Sequence, residues 1–173
     1  SGSAARLRRN PSAPRWAAMA AGQNRSRCLL SIHCPVACVL TTSIDIDAAR
    51  AWDITQGSED TVVAVIDTGV DYNHQDLKDN MWTNEAELNG RPGIDDDGNG
   101  IADDIYGANF VEAEKPTANP LDDHGHGSHC SGTIGARGDD GKGIVGVSWR
   151  VRIMAVKFLG GDGGGTLEGA IKA

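Results

Sequence analysis

Aromatic residues make up only 5% of this sequence, and cysteines number four. That is too few cysteines for the dense disulfide framework of a small secreted domain. Long apolar runs are also missing. The longest, Cys28 to Leu40, is broken by Ser31, His33 and Pro35. It falls short of the ~20 residues a helix needs to cross a bilayer, so no helical membrane span is expected. Acid is absent from residues 1–43, which hold six arginines. The net charge of −8 over 173 residues therefore sets +6 in that arm against −14 in residues 44–173. So acidic a body argues against nucleic acid as a partner, since nucleic acid wants basic surface. Acid crowded into one stretch points instead to cations.

What is present is a 39% hydrophobic share, enough to build a core, and 23 glycines. Residues 1–43 show no sustained period. Arg25-Ser26-Arg27 ahead of a short apolar run resembles a secretory signal, and an Arg-rich, acid-free arm also fits an organelle transit peptide. A third reading makes the arm foreign to the folded protein. Its His33-Cys34-Pro35-Val36-Ala37-Cys38 stretch lacks the second ligand pair a metal site needs. The chain starts at Ser1 rather than Met and stops inside a helical pattern, so a piece of a longer protein is expected.

From residue 44 the pattern sharpens. Ile46, Ala48, Ala49, Ala51 and Trp52 fall near helical spacing, with Gly57 as the stop. Thr61–Ile66 is a continuous β-branched run, which predicts a strand buried on both faces. Ile105–Val111 and Val151–Val156 read as further strands, and His126–Ala136 as a helix. Thr166 is a good N-cap for a helix starting at Leu167. Strands alternating with helices predict an α/β fold with a mainly parallel sheet.

Three constellations carry chemistry. Asp67 directly follows the buried run, at the strand end where α/β active sites gather. A carboxylate there can orient an imidazole; it can equally cap the next turn. His126 stands between Gly125 and Gly127, at a helix start that helps keep the ring neutral. His124, His126 and His129 with Cys130 also offer zinc ligands, although no Glu lies where a zinc protease needs its base. Third, residues 93–104 place oxygens at alternate positions around glycines. Asp95, Asp97, Asn99, the Ile101 carbonyl and Asp103 or Asp104 would wrap a calcium ion. The twelfth place is Tyr106 rather than Glu, so this is not a full calcium hand.

Together these segments resemble the subtilisin-like serine proteases. TVVAVIDTGVDYNHQDL (61–77) looks like the segment with the catalytic Asp, which matches Asp67. DHGHGSHCSG (123–132) looks like the segment with the catalytic His, which matches His126. Cys130 resembles the proteinase K and thermitase branches. Ser128, Gln75 and Ser131 depart from frequent Thr, Pro and Ala without removing chemistry. The resemblance covers residues 44–173 and implies a three-layer sheet with helices on both faces, here truncated. It implies a secreted, calcium-dependent, monomeric endopeptidase acting on polypeptide. It also implies a second calcium held by Asp76, Asp140 and the carbonyls of Arg137, Lys142 and Ile144, though the family's N-terminal carboxylate ligand has no match. Leu159, Gly160, Gly163, Gly164 and Gly165 would form the edge that receives substrate backbone. The Gly-Thr-Ser nucleophile segment and the oxyanion Asn are absent from these 173 residues, so the chain alone is expected to hydrolyse nothing. The competing class is a calcium- or zinc-binding domain, or a pseudo-protease on the same scaffold.

Overall fold

A computed structural model describes residues 46–173. The arm, its three cysteines and its His33–Cys38 stretch lie outside the described residues. The two β-branched runs build the sheet, because branched side chains pack well on a pleated surface. β1 (Gly57–Asp67) and β3 (Arg150–Lys157) pair in parallel, with Ala64 opposite Met154 and Asp67 opposite Lys157. β2 (Gly107–Asn109) flanks β3 on the other side, also parallel, so the order is β1-β3-β2. The strand expected over 105–111 is only three residues long. Asn109 already turns to an antiparallel bridge with Thr117, which ends the ladder.

The helices are α1 (Ala48–Ala51), α2 (Glu85–Leu88), α3 (His126–Gly135) and α4 (Leu167–Lys172). α1 is shorter than its pattern, and Gly57 opens β1 rather than closing the helix. Thr166 caps α4 as expected, its hydroxyl accepting from the Gly169 amide.

Alternate residues of a strand point to opposite faces. Val63, Val65, Val151, Ile153 and Ala155 lie on the face that packs against α3, and with Val70, Leu77 and Met81 they make the core. The opposite face of β1 carries Val62 and Ile66, which are 46% and 47% exposed. Burial of this strand on both faces is therefore corrected: among the described residues, α3 covers one face and the other stays open. The parallel α/β class itself is as expected. Its consequence is positional. Asp67, Asn109 and Lys157 end three neighbouring strands at one carboxyl edge, where such sheets bind ligands.

Candidate active site

Asp67 ends β1 and His126 begins α3. His126 Nδ1 lies 2.8 and 2.9 Å from the two carboxylate oxygens of Asp67. The Asp67 side chain is 14% exposed and that of His126 59%. Burial pushes the Asp67 carboxyl up, but hydrogen bonds from His126 and the Thr68 amide outweigh it. The net result holds Asp67 below its ordinary value. It stays ionised at neutral pH and faces the nitrogen that carries a proton.

The start of α3 explains how this pair is aligned. Its N-cap is Gly125, in the left-handed region at φ 97, with no side chain to cap the helix. The orphan first-turn amides are met from outside. Gly127 N donates to Thr68 Oγ1 at 2.9 Å, and Ser128 N to Asp122 Oδ2 at 2.9 Å. A Cβ at Gly127 would run into the Gly69 carbonyl, so only glycine lets the helix start approach the end of β1.

Asp122 is the hub of this arrangement. It accepts from the Thr68 and Ser128 hydroxyls and from the amides of His124, Gly125 and Ser128. Burial raises its pKa, but these donors prevail and hold it well below the usual carboxylate range. The sequence reading missed both Asp122 and Thr68. The available signal was an acid shortly ahead of a helix start.

Cys130 Sγ lies 3.8 Å from His126 Nδ1, and Asp67, His126 and Cys130 have ligand atoms within 4.8 Å of one another. The alternative zinc set, His124, His126 and His129 with Cys130, is not assembled among the described residues. The His124 ring, ahead of α3, sits 6.4 Å from that of His126. His129 instead lines a cavity of about 230 Å³ with His74, Asp76 and Ile144.

The glycine-rich segment after β3 closes on itself. Gly160 N donates to the Gly164 carbonyl at 2.8 Å, and Gly163 N to the Gly160 carbonyl at 2.9 Å. Gly161 faces Asp123 and Gly163 faces His124, so Leu159, Gly160, Gly163, Gly164 and Gly165 lie beside the His126 segment. Their main chain is a turn rather than an extended edge up to Gly164.

In the acidic loop the structure gathers part of the expected set and adds a member. Ligand atoms of Glu87, Asp97 and Asp104 lie within 4.8 Å of one another. Asn99 Nδ2 bridges Asp97 and Asp104 at 3.1 and 2.9 Å, and Asn84 Nδ2 does the same at 2.7 and 2.9 Å. Buried Glu87 accepts the amides of Asp96, Asp97 and Asp103. Asp95 turns its carboxylate to the amides of Gly98, Asn99 and Gly100, and Asp103 to that of Gly93. Ile101 is anchored by its amide to Asn99. Burial raises the pKa of Asp104, and Asp97 and Glu87 push it the same way against its two asparagine donors.

The second expected cation position centres on Asp76, 5% exposed. Its Oδ2 accepts from Ile144 N at 3.0 Å and its carbonyl from Arg137 N at 2.8 Å. Its Oδ1 is buried with no partner among the described residues. Gly143 leaves room for this carboxylate, where a Cβ would collide with it. Asp140 instead accepts from the Lys142 amide in its own loop. The orphaned Oδ1 is a hard oxygen of the kind a calcium-type ion takes.

A parallel sheet with an ionised Asp holding a His at its carboxyl edge defines a scaffold for acid–base chemistry. The chain belongs to the subtilase family, whose model matches residues 58–173. It is 50% identical over 114 residues to Subtilisin-like protease 1 of Plasmodium berghei (strain Anka), covering 66% of this chain and 18% of that protein. It is 37% identical over 118 residues to the Thermophilic serine proteinase of Bacillus sp. (strain AK1), covering 68% and 23%. To the Minor extracellular protease Vpr of Bacillus subtilis (strain 168) it is 35% identical over 127 residues, covering 73% and 13%. The chain thus spans less than a quarter of the length of these relatives.

Proposed function

We propose that this chain supplies the Asp and His of a serine endopeptidase that cleaves polypeptide. The observation that carries the reading is the bond from His126 Nδ1 to the Asp67 carboxylate. It fixes the tautomer with the proton on Nδ1 and leaves Nε2, which has no partner among the described residues, free as base. His126 would take the proton of a serine hydroxyl and return it to the leaving amine, with Asp67 stabilising the imidazolium between those steps. The serine and the oxyanion Asn come from sequence outside these 173 residues. Substrate backbone lies along Leu159–Gly165, beside the His126 segment.

Calcium belongs to the same proposal. Glu87, Asp97, Asn99 and Asp104 would hold one ion, with Asp95, the Ile101 carbonyl and Asp103 bracing the loop or joining the shell. Asp76, the Asp140 side chain and the carbonyls of Arg137, Lys142 and Ile144 would hold a second. The ions supply charge balance and loop rigidity, not a reaction step. Secretion and a monomeric state complete the reading. The similarity to a protease named extracellular supports secretion, and no helix among the described residues is long and apolar enough to cross a membrane.

The test is a serine-directed fluorophosphonate label applied to the protein that carries this chain. Labelling is expected, with loss in His126→Ala. The 173-residue chain alone takes up no label. A folded, full-length protein that stays unlabelled overturns the reading in favour of a pseudo-protease.

A further inference from the structure

A buried ammonium is among the costliest groups to remove from water, yet Lys157 is only 3% exposed. It has three donors and no acceptor, and all three are used. Nζ donates to the Thr68 carbonyl at 2.6 Å, to Asp123 Oδ1 at 2.6 Å and to the Leu159 carbonyl at 2.8 Å. These acceptors belong to three different segments. Thr68 follows Asp67, Asp123 lies three residues ahead of His126, and Leu159 opens the glycine-rich turn. The same junction is drawn together by backbone, since Phe158 N and Leu159 N both donate to the Asp67 carbonyl, at 3.0 and 3.2 Å.

The position in the sheet makes the choice of lysine informative. Lys157 ends the central strand, with Asp67 and Asn109 as its register partners. The preceding residues on its face, Val151, Ile153 and Ala155, are apolar and buried. An apolar residue would continue that row with no desolvation cost. A buried charge is weak evidence for stability as such, because well-packed apolar replacements often do as well. What an apolar side chain cannot do is fix three oxygens from three segments at bonding distance of one nitrogen.

We propose that Lys157 is a positioning residue. Its ammonium holds the Thr68 carbonyl, the Asp123 carboxylate and the Leu159 carbonyl in one frame, and so sets the Asp67–His126 bond relative to the segment that receives substrate. The catalytic consequence rests on the proteolytic reading above; the geometry can be tested without it.

Proton NMR of the full chain reads the His126 Nδ1 proton, which a bond to carboxylate moves far downfield and shields from exchange. That resonance needs no serine, so a failure of fluorophosphonate labelling leaves this test standing. Lys157→Met is expected to broaden the signal beyond detection. Asp123→Ala, a change at an exposed residue, should speed its solvent exchange severalfold. Asp123→Asn keeps an acceptor and should restore near-normal exchange. Ile153→Val loosens the core without touching the ammonium and should leave the resonance in place, which separates positioning from general destabilisation. A folded Lys157→Met with an unchanged, slowly exchanging signal overturns the proposal. Should Lys157→Met fail to fold, Asp123→Ala decides, and exchange unchanged from the parent chain overturns it equally.

Discussion

Two regions of this molecule concentrate acid, and they balance it differently. At the carboxyl edge of the sheet every carboxylate meets donors from the protein. Asp122 accepts five hydrogen bonds, Asp67 is met by His126 and the Thr68 amide, and Asp123 by the Lys157 ammonium. Where α2 meets the acidic loop, Glu87, Asp97 and Asp104 crowd within 4.8 Å of one another. Amides and asparagines solvate them, but among the described residues no lysine or arginine pairs with them. Arg91 goes to Asp96 instead, at 3.3 Å. Neutral donors satisfy hydrogen-bonding capacity without cancelling charge. At the sheet edge the Lys157 ammonium and the His126 imidazole stand against Asp123 and Asp67, whereas the three clustered carboxylates of the second region have no cationic side chain among the described residues, the gap that the proposed calcium would fill.

The largest effect should come from removing the hub of the first region. Asp122→Ala strips acceptors from three amides and two hydroxyls at the start of α3. Hydrogen bonds to charged groups are worth about 1.5–3 kcal/mol each, less than additively. A loss of about 3–4 kcal/mol is expected in chemical denaturation, together with loss of the downfield His126 signal. A drop below about 1 kcal/mol would mean that the helix start is held by Thr68 and Gly127 alone, and the contrast between the regions would fail.

Calcium probes the second region and should leave the first untouched. A ligand bound only by the folded state stabilises by about 2.7 kcal/mol at a hundredfold excess over its Kd. The melting temperature of the chain should therefore rise with millimolar calcium, and the rise should shrink in Asp97→Ala and Glu87→Gln. In Asp76→Asn a remaining, smaller rise would assign the two positions separately. The Asp67–His126 resonance should not move with calcium. A rise unaltered by all three substitutions would place the ion elsewhere.

Gly127→Ala should rank third. The added Cβ meets the Gly69 carbonyl, and overpacking of this kind costs about 1–3 kcal/mol. Here the cost should appear mainly as a displaced His126, because α3 can move only by pulling its first residue from Asp67. Gly125→Ala is the matched control. No atom crowds that position, and its cost comes from the positive φ alone.

What the sequence made legible follows from this contrast. Their neighbours, a β-branched run ending in a carboxylate and a histidine between glycines, marked Asp67 and His126 as candidates, and the resemblance of residues 61–77 and 123–132 to subtilisin-like proteases singled them out as a pair. The strand cores of β1 and β3 were legible for the same local reason. Asp122, Thr68 and Lys157 were not, since their roles come from partners up to 89 residues away in sequence, such as the Lys157 bond to Thr68. In the acidic loop the alternating oxygens were visible, but their direction was not. Aspartates in glycine-rich turns compete for nearby amides, and Asp95 takes three. Glu87 escaped notice because it sits on α2, outside the loop it braces. Exposure of Val62 and Ile66 was also hidden, because an apolar run states what a strand can bury rather than what lies over it.

The smallest effect is a slope, and it distinguishes a carboxylate that is held ionised from one that merely occupies space. Asp122 and Asp67 both titrate below their ordinary values in the folded chain. A depressed acid adds stability above its unfolded pKa, about 3.9 for Asp, and loses it as pH falls through the lower folded value. The unfolded chain binds more protons in that window, so stability must fall as pH drops below about 4. Asp122→Asn removes one such group. It should be less stable than the parent at pH 7, since an amide nitrogen cannot accept from Ser128, yet its denaturation midpoint should decline less steeply between about pH 4 and pH 2. Parallel acid limbs in the two proteins would show that Asp122 titrates normally in the folded state. The start of α3 would then depend on the shape of that side chain and not on its charge.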